Sequence, residues 1–398
     1  MASSVAGGGA LAPGEDNASV GLGAKGKLTI KAVTWNAHGK TPKQMGVDEN
    51  LAKIFQTETK PDIFVVSLQE IVPLDVDHIF FDLAGDIDAK RIEWTAKIAK
   101  AVNEGLPAEK QYLVSSTRAV VGTYLLVLVK SLHKAHVSIR EDLDINLQLA
   151  FFGLLSFGNK AAALHRLKIY GCTFCFVSVH LAAHRPNVNG RIEHVNYIIQ
   201  ETRFAQSQPV RLEEHDFGFF LGDTNFRILE TLGAEEGYSL ANEGRYSDLS
   251  KHDQLHDLQK KRIILSNWKE GELNFKPSYK LDLKAKAKGS YKVAENNLEK
   301  YVPAWTDRIL YRSKHVDQCV SVQQYTSVEL DTPVSDHYPV VGVFEIDVQQ
   351  YLNIKKLDQE ALAKFPGTSA SDSFAEEGYT GGVFWCGGKR SSPGKLWK

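Results

Sequence analysis

Apolar segments of strand length recur along most of this chain, at Leu28–Thr34, Ile63–Leu68, Tyr124–Val129, Ala161–Ile169, Cys172–Val179, Phe217–Leu221, Arg308–Tyr311, Val316–Val322 and Pro339–Phe344. Many are rich in Val, Ile and Phe, which suit a pleated and buried surface. Between several of them, Asp48–Thr57, Asp86–Ala101, Arg191–Phe204 and Ser247–Asn267 carry apolar residues at three- and four-residue spacing, the last with charges between. The order is mixed rather than strictly alternating. It predicts an α/β (α+β mixed) architecture of two mixed β-sheets packed face to face and flanked by helices, with active residues at strand ends and in the loops after them.

At 398 residues and 43% hydrophobic, the chain can bury a full core. The even spread of strands favours one domain over residues 28–347. Residues 1–27, mostly Gly, Ala and Ser, read as a flexible tail without the features of a signal or transit peptide, and residues 348–398 as a partly disordered extension ending in an aromatic patch, Phe384-Trp385. Lysine-rich Lys280–Lys292 reads as a surface loop. No apolar run approaches the roughly 20 residues needed to span a bilayer, and a cytoplasmic protein is expected, with room for a peripheral place on the cytosolic face of membranes. Lys and Arg total 47 against 48 Asp and Glu, so no global charge draws the chain to nucleic acid. Four cysteines, Cys172, Cys175, Cys319 and Cys386, suit a reducing compartment. Cys172 and Cys175 imitate a CxxC pair, but residues three apart on a strand face opposite ways, and buried thiols are expected.

Three distant segments put carboxylates or imidazole beside apolar strands: Ser67-Leu-Gln-Glu70, Leu221-Gly-Asp-Thr-Asn225 and Ser335-Asp-His337. Metal-assisted phosphate cleavage needs those types: one carboxylate for a hard cation, one to handle water, and an imidazole or amide for the charge on phosphorus. Glu70, at the end of a buried strand, suits a cation or caps the next turn. Asp223 and Asn225 share one site if the segment stays extended, Asp223 drawing a proton from water and Asn225 donating to phosphate; an Asx-turn accounts for them equally well. Asp307 can hold the second nitrogen of His337 and favour its charged form. His180 and His184 follow a further strand.

Eight blocks then resemble, in order, those of the inositol polyphosphate 5-phosphatases. They are Trp35-Asn36-Ala-His-Gly39, Ser67-Leu-Gln-Glu-Ile71, Gly158-Asn-Lys160, Ser178-Val-His-Leu-Ala-Ala-His184, Gly222-Asp-Thr-Asn-Phe-Arg227, Pro277-Ser-Tyr-Lys280, Pro303-Ala-Trp-Thr-Asp-Arg308 and Ser335-Asp-His-Tyr-Pro-Val340. The resemblance covers roughly residues 28 to 346. It implies a DNase I-like four-layer sandwich and Mg²⁺-dependent hydrolysis of the 5-phosphate of phosphoinositides or soluble inositol polyphosphates by direct attack of water. It implies Glu70, Asn36 and Asp336 at or beside the metal, Asp223 activating water, and Asn225, His180 and His337 on phosphate oxygens with Asp307 behind His337. It makes Lys160 the contact to the 1-phosphate and Tyr279 with Lys280 the clamp on the 4-phosphate, with Asn159, His184 and Arg308 as further substrate contacts. Phe151, Phe152, Leu154 and Leu155 stand where the family's loop meets lipid; a buried helix or strand is the alternative.

Departures fall on the substrate side. His38 replaces the usual Asn of the first block, Ala161 follows Lys160 in place of Gly, Arg191 is followed by Ile192, and Tyr301 stands where a basic residue is common. Two other readings share the features. A nucleic-acid phosphodiesterase of the same superfamily has the same metal core but needs a long basic groove. A non-catalytic phosphoinositide-binding module has no use for a water-activating carboxylate.

Overall fold

The apolar runs pair into two sheets whose inner faces meet. The computed structural model describes residues 26–45, 47–55, 60–72, 83–147, 160–205, 208–285, 287, 289–293, 301–331 and 334–364. Its strands are β1 (Lys27–Asn36), β2 (Ile63–Gln69), β3 (Tyr112–Val120), β4 (Thr123–Lys130), β5 (Val137–Asn146), β6 (Ala161–Ile169), β7 (Cys172–His180), β8 (Phe217–Asp223), β9 (Lys269–Glu270), β10 (Asp307–Ser313), β11 (Val320–Ser327) and β12 (Val340–Asp347). Helices are α1 (Val47–Phe55), α2 (Leu83–Asn103), α3 (Val188–Glu201), α4 (Ala234–Asn242), α5 (Tyr246–Ser250), α6 (Gln254–Lys260) and α7 (Val348–Lys364). One sheet runs β11-β12-β1-β2-β4-β3 and the other β5-β6-β7-β8-β10-β9. The β1/β2 and β7/β8 pairs are parallel and the remaining pairs antiparallel.

Alternation along each strand divides inner from outer core. Phe64, Val66 and Leu68 of β2 face outward into a cluster with Leu51, Ile54, Trp94 and Ile98 from α1 and α2. On the other sheet Leu164, Val177 and Phe220 pack with Val195, Ile198, Leu255 and Leu258 from α3 and α6. Between the sheets Phe344 meets Phe219 edge-on, and the Ser67 and Ser178 hydroxyls lie 2.6 Å apart. The result is the expected four-layer sandwich of helix, sheet, sheet and helix.

Strand register gathers the chemistry at one end. The parallel pairs set Asn36 beside Gln69 and His180 beside Asp223, while antiparallel β10 sets Asp307 opposite Asp223. Isolated bridges join Tyr279 to both Ala304 and His337, so the Pro-Ser-Tyr-Lys, Pro-Ala-Trp-Thr-Asp-Arg and Ser-Asp-His blocks lie side by side.

Several expectations change. The edge strands β3 and β5 lie outside the apolar runs because edges carry charge: Arg118 of β3 pairs with Asp144 of β5, and Ser116 donates to Asp142. Ser247–Asn267 is not one helix but α5 and α6, broken where Asp253 caps α6 by accepting from the His256 amide at 2.9 Å. Residues 317–319 form a 3₁₀ turn, so that strand starts at Val320. Lys280–Lys292 is closed by a Leu281–Tyr291 bridge with Tyr291 buried, so it is anchored at both ends. Tyr351, in the first turn of α7, is buried and donates to Asp216, and the compact unit runs to Leu352. Cys172 and Cys175 are buried without a disulfide, as expected. Among the described residues no helix is long and apolar enough to cross a membrane.

Gly222 is the tightest point of this frame. Its φ of 147° strains any L side chain, and a Cβ there would lie 2.0 Å from the Val179 carbonyl oxygen. Gly222→Ala therefore forces β7 and β8 apart beside Asp223. The expected outcome in a denaturant melt is a loss of about 3 kcal/mol or more, or no soluble protein; an unchanged midpoint would refute the close approach.

Candidate active site

Asp223 ends β8 with only 2% of its surface exposed. Asn36 Nδ2 donates to its Oδ2 at 3.1 Å, the Asn225 amide donates to its Oδ1 at 3.0 Å, and His180 Nε2 lies 3.5 Å away. Burial raises its pKa above the usual carboxylate range and Asp307 adds to this, against the pull of His337, Lys160 and Arg227. Such a carboxylate is a better proton acceptor than an exposed aspartate while still ionising below neutrality.

His337 is its cationic counterpart. Nδ1 lies 2.8 Å from Asp307 Oδ2, which also accepts from Ser278 at 2.7 Å and Thr306 at 2.9 Å. Burial alone would lower the imidazole pKa, but the charge and hydrogen bond of Asp307, with Asp223 and Asp336, outweigh it and raise the value to about 10. Ligand-type atoms of Asp223, Asp307 and His337 lie within 4.8 Å of one another. An imidazolium has no lone pair for a metal, so this trio suits phosphate rather than a cation.

His180 behaves oppositely. Burial and the charges of Lys160, His337 and His194 push its pKa well down, so it is neutral. Its Nε2 accepts from Lys160 Nζ at 2.5 Å. Lys160 thus reaches into the centre, facing Asp223 and Glu70, deeper than an outlying phosphate contact requires; burial lowers its pKa to about 8, with Arg227 adding and those carboxylates opposing.

The predicted metal side is built from Glu70, Asn36 and Asp336. Asn36 Nδ2 also donates to Glu70 Oε1 at 3.1 Å, so its amide spans two carboxylates. Asp336 Oδ1 is buried without a hydrogen bond, with His38 Nδ1 at 3.2 Å, while its Oδ2 meets Lys280 at 3.0 Å. The His38 amide donates to Asn36 Oδ1 at 2.9 Å, so this departure from the family pattern ties Asn36 to Asp336. Glu70 and His38 both have positive φ, at 52°.

Other expectations need correction. Arg308 does not face substrate: next to inward-facing Asp307, its side chain takes the opposite face of β10, where it is fully buried between Asp253 at 2.9 Å and Glu270. Asn225 does not sit on an extended segment. Its φ is 57°, its Nδ2 donates to the Leu181 carbonyl, and its Oδ1 accepts from Arg227 at 2.6 Å, so the Asx-turn is present and the amide orients Arg227. Arg227, without an assigned role in the sequence reading, stacks 4.1 Å from the Tyr279 ring centroid, and that ring lies 4.5 Å from His337. His184 is exposed; its carbonyl accepts from buried Arg191, which secures the loop after β7. Asn159, Phe151, Phe152, Leu154 and Leu155 lie outside the described residues.

Known proteins resemble this chain in sequence and in fold. Residues 33–343 match the model of the endonuclease/exonuclease/phosphatase family 2. The type II inositol 1,4,5-trisphosphate 5-phosphatase of Mus musculus is 30% identical over 321 residues, which are 79% of this chain and 29% of that protein. Inositol polyphosphate 5-phosphatase K of Mus musculus is 27% identical across 82% of this chain and 68% of its own length. The chain thus spans under a third of the first relative and about two thirds of the second. A crystal structure of a synaptojanin inositol polyphosphate 5-phosphatase domain, in complex with inositol (1,4)-bisphosphate and a calcium ion, superposes with a TM-score of 0.66 at 25% identity, covering 85% of this chain and 93% of that one. The fold and site define a member of the endonuclease/exonuclease/phosphatase family, and within it the chain belongs to the inositol polyphosphate 5-phosphatases.

The shifted groups set a pH profile for turnover. Asp223 must be ionised to accept a proton, and its raised pKa moves the acid limb above the roughly 3.9 of a free aspartate. Where Lys160 meets phosphate as a cation, its lowered pKa places an alkaline limb near 8. Lys160→Arg is expected to carry that limb to higher pH in a pH–kcat series; an unmoved limb would separate it from Lys160.

Proposed function

We propose that this chain hydrolyses the 5-phosphate of inositol polyphosphates and phosphoinositides, with Mg²⁺ as cofactor and water as the nucleophile. The carrying observation is the buried Asp223 carboxylate held opposite the Asp307–His337 pair. A base for water and a cation for phosphate thereby face one another. The sequence blocks and the inositol-phosphate-binding relative supply the substrate class.

The donor set fits a hard divalent cation. Glu70 and Asp336 offer carboxylate oxygens, one of them buried without a hydrogen bond, and the Asn36 amide lies beside Glu70. Charge balance favours one as well: Glu70, Asp223, Asp307 and Asp336 are met by Lys160, Arg227, Lys280 and the His337 imidazolium, so an arriving phosphate adds uncompensated negative charge. Bound there, Mg²⁺ supplies Lewis-acid and template chemistry at the phosphate and leaving oxygen.

The protein's own groups do the rest. Asp223 accepts the proton of the attacking water, its orientation fixed by donors from Asn36 and Asn225. His337 and Lys160 present N–H groups to phosphate oxygens, and Asp307 keeps His337 charged as the leaving oxygen departs. Tyr279, between Arg227 and His337, shapes the wall on which the inositol ring rests.

Asp223→Asn is expected to lower kcat by about 10²–10⁴-fold while inositol polyphosphate binding persists. Glu70→Gln and Asn36→Ala should instead raise the Mg²⁺ concentration giving half-maximal phosphate release. If the wild-type protein with Mg²⁺ frees no phosphate from any 5-phosphorylated inositol lipid or headgroup, the reading fails.

A further inference from the structure

The residue at position 38 brings a nitrogen donor to the edge of the cation side of the site. The Ala37 and Gly39 amides donate to the carbonyls of Gln69 and Glu70 at 2.7 and 2.8 Å, and the Lys40 amide closes the turn on the Ala37 carbonyl at 3.1 Å. His38 sits in that turn with a φ of 52°. The segment that carries Asp336 is strapped to the same stretch of chain. Trp35 Nε1 donates to the His337 carbonyl at 3.0 Å, Ser335 Oγ to the Asn36 carbonyl at 2.7 Å, and the Lys40 ammonium to the Val334 carbonyl. His38 and Asp336 are therefore fixed relative to one another before any ion arrives.

Their side chains meet in an unusual way. His38 Nδ1 lies 3.2 Å from Asp336 Oδ1, yet the two make no hydrogen bond, and Oδ1 is buried without another partner. Lys280 meets the other oxygen, Oδ2, at 3.0 Å, so Oδ1 is the atom left over. Two donor atoms this close that do not bond each other are spaced like neighbouring ligands of one ion, since adjacent corners of an octahedron with arms of roughly 2.1 Å lie about 3 Å apart. The carboxylate is 8% exposed and the imidazole 46%, so the open approach is from the imidazole side. Oxygen donors from Glu70, Asp336 and Asn36 suit Mg²⁺, whereas an imidazole nitrogen suits first-row transition ions. The asparagine usual at this place has no nitrogen lone pair to offer.

We infer that His38 Nδ1 is a metal ligand alongside Asp336 Oδ1, so that the cation site of this chain holds Mn²⁺ and Co²⁺ more strongly, relative to Mg²⁺, than oxygen donors alone would. This rests on the cation site of the function proposed above. The departure at position 38 then acts on the choice of metal.

Calorimetric titration of the metal-free full chain with Mn²⁺ and with Mg²⁺, together with pulsed EPR of the Mn²⁺-loaded protein, tests this without turnover. Asn tolerates the left-handed region, so His38→Asn is expected to melt like the wild type in the absence of metal. It should weaken Mn²⁺ binding about tenfold and leave Mg²⁺ within about twofold. The wild-type spectrum should carry the nitrogen coupling of a directly bound imidazole, and His38→Asn should lack it. Glu70→Gln should weaken both ions and keep the coupling. A wild-type protein that binds Mn²⁺ without nitrogen coupling, a coupling that survives in His38→Asn, or an equal loss of both ions in that variant overturns the inference and leaves an ion pair between His38 and Asp336. Phosphate release with Mg²⁺ decides the proposed function separately.

Discussion

Keeping a carboxylate ionised inside an apolar sandwich is the constraint from which the rest of this structure follows. Moved from water into such a place, Asp223 would protonate unless donors and cations replaced its hydration. Two N–H donors and an imidazolium stand close to it: Asn36 at the end of β1, the Asn225 amide in the turn that follows β8, and His337 in the bridged segment before β12. The parallel β7/β8 pair and the antiparallel β8/β10 pair set His180 and Asp307 beside it, and the absence of a side chain at Gly222 lets β7 come near enough for that register to form. Fold and site are therefore one packing problem.

The same reasoning separates the two imidazoles. His180 and His337 are both deeply buried, yet their charge states diverge because their neighbours do. His337 has Asp307 on Nδ1 and two further carboxylates nearby, whereas His180 has an ammonium on Nε2. A protonated and a neutral imidazole within one site offer a fixed donor and a fixed acceptor at the same pH. Ser278 and Thr306 hold Asp307, so the charged pair need not reorganise when phosphate arrives.

How much of this was legible in the sequence follows from which interactions are local. Apolar strands announce themselves, and the core strands were found together with the residue types at their ends. Edge strands β3 and β5 were not, since their polar groups answer to one another from the edges of the two different sheets rather than to a buried face. Arg308 shows the limit most plainly. Its block suggested a substrate contact, but strict alternation after Asp307 turns it to the outer face, where Asp253 and Glu270, from distant segments, neutralise it. Arg227 failed in the other direction, because its stacking on Tyr279 joins residues from separate blocks and no local pattern signals it.

The buried centre of the site and its rim also differ in how they are held. Asp223, Asp307 and His180 lie on paired strands, where one slipped residue would turn every side chain of the strand to the other face. Lys280, Lys292 and Tyr301 lie on connecting segments, joined by single bridges and the Tyr238 hydroxyl. A substitution there leaves the register of β8 untouched. Tyr301 in place of a cation is such a change: it alters the surroundings of Lys280 and Lys292 while the buried aspartate, its donors and its imidazolium keep their geometry. The rim of the site can therefore change in this fold without disturbing the surroundings of Asp223, because the two are attached to different parts of the same sandwich.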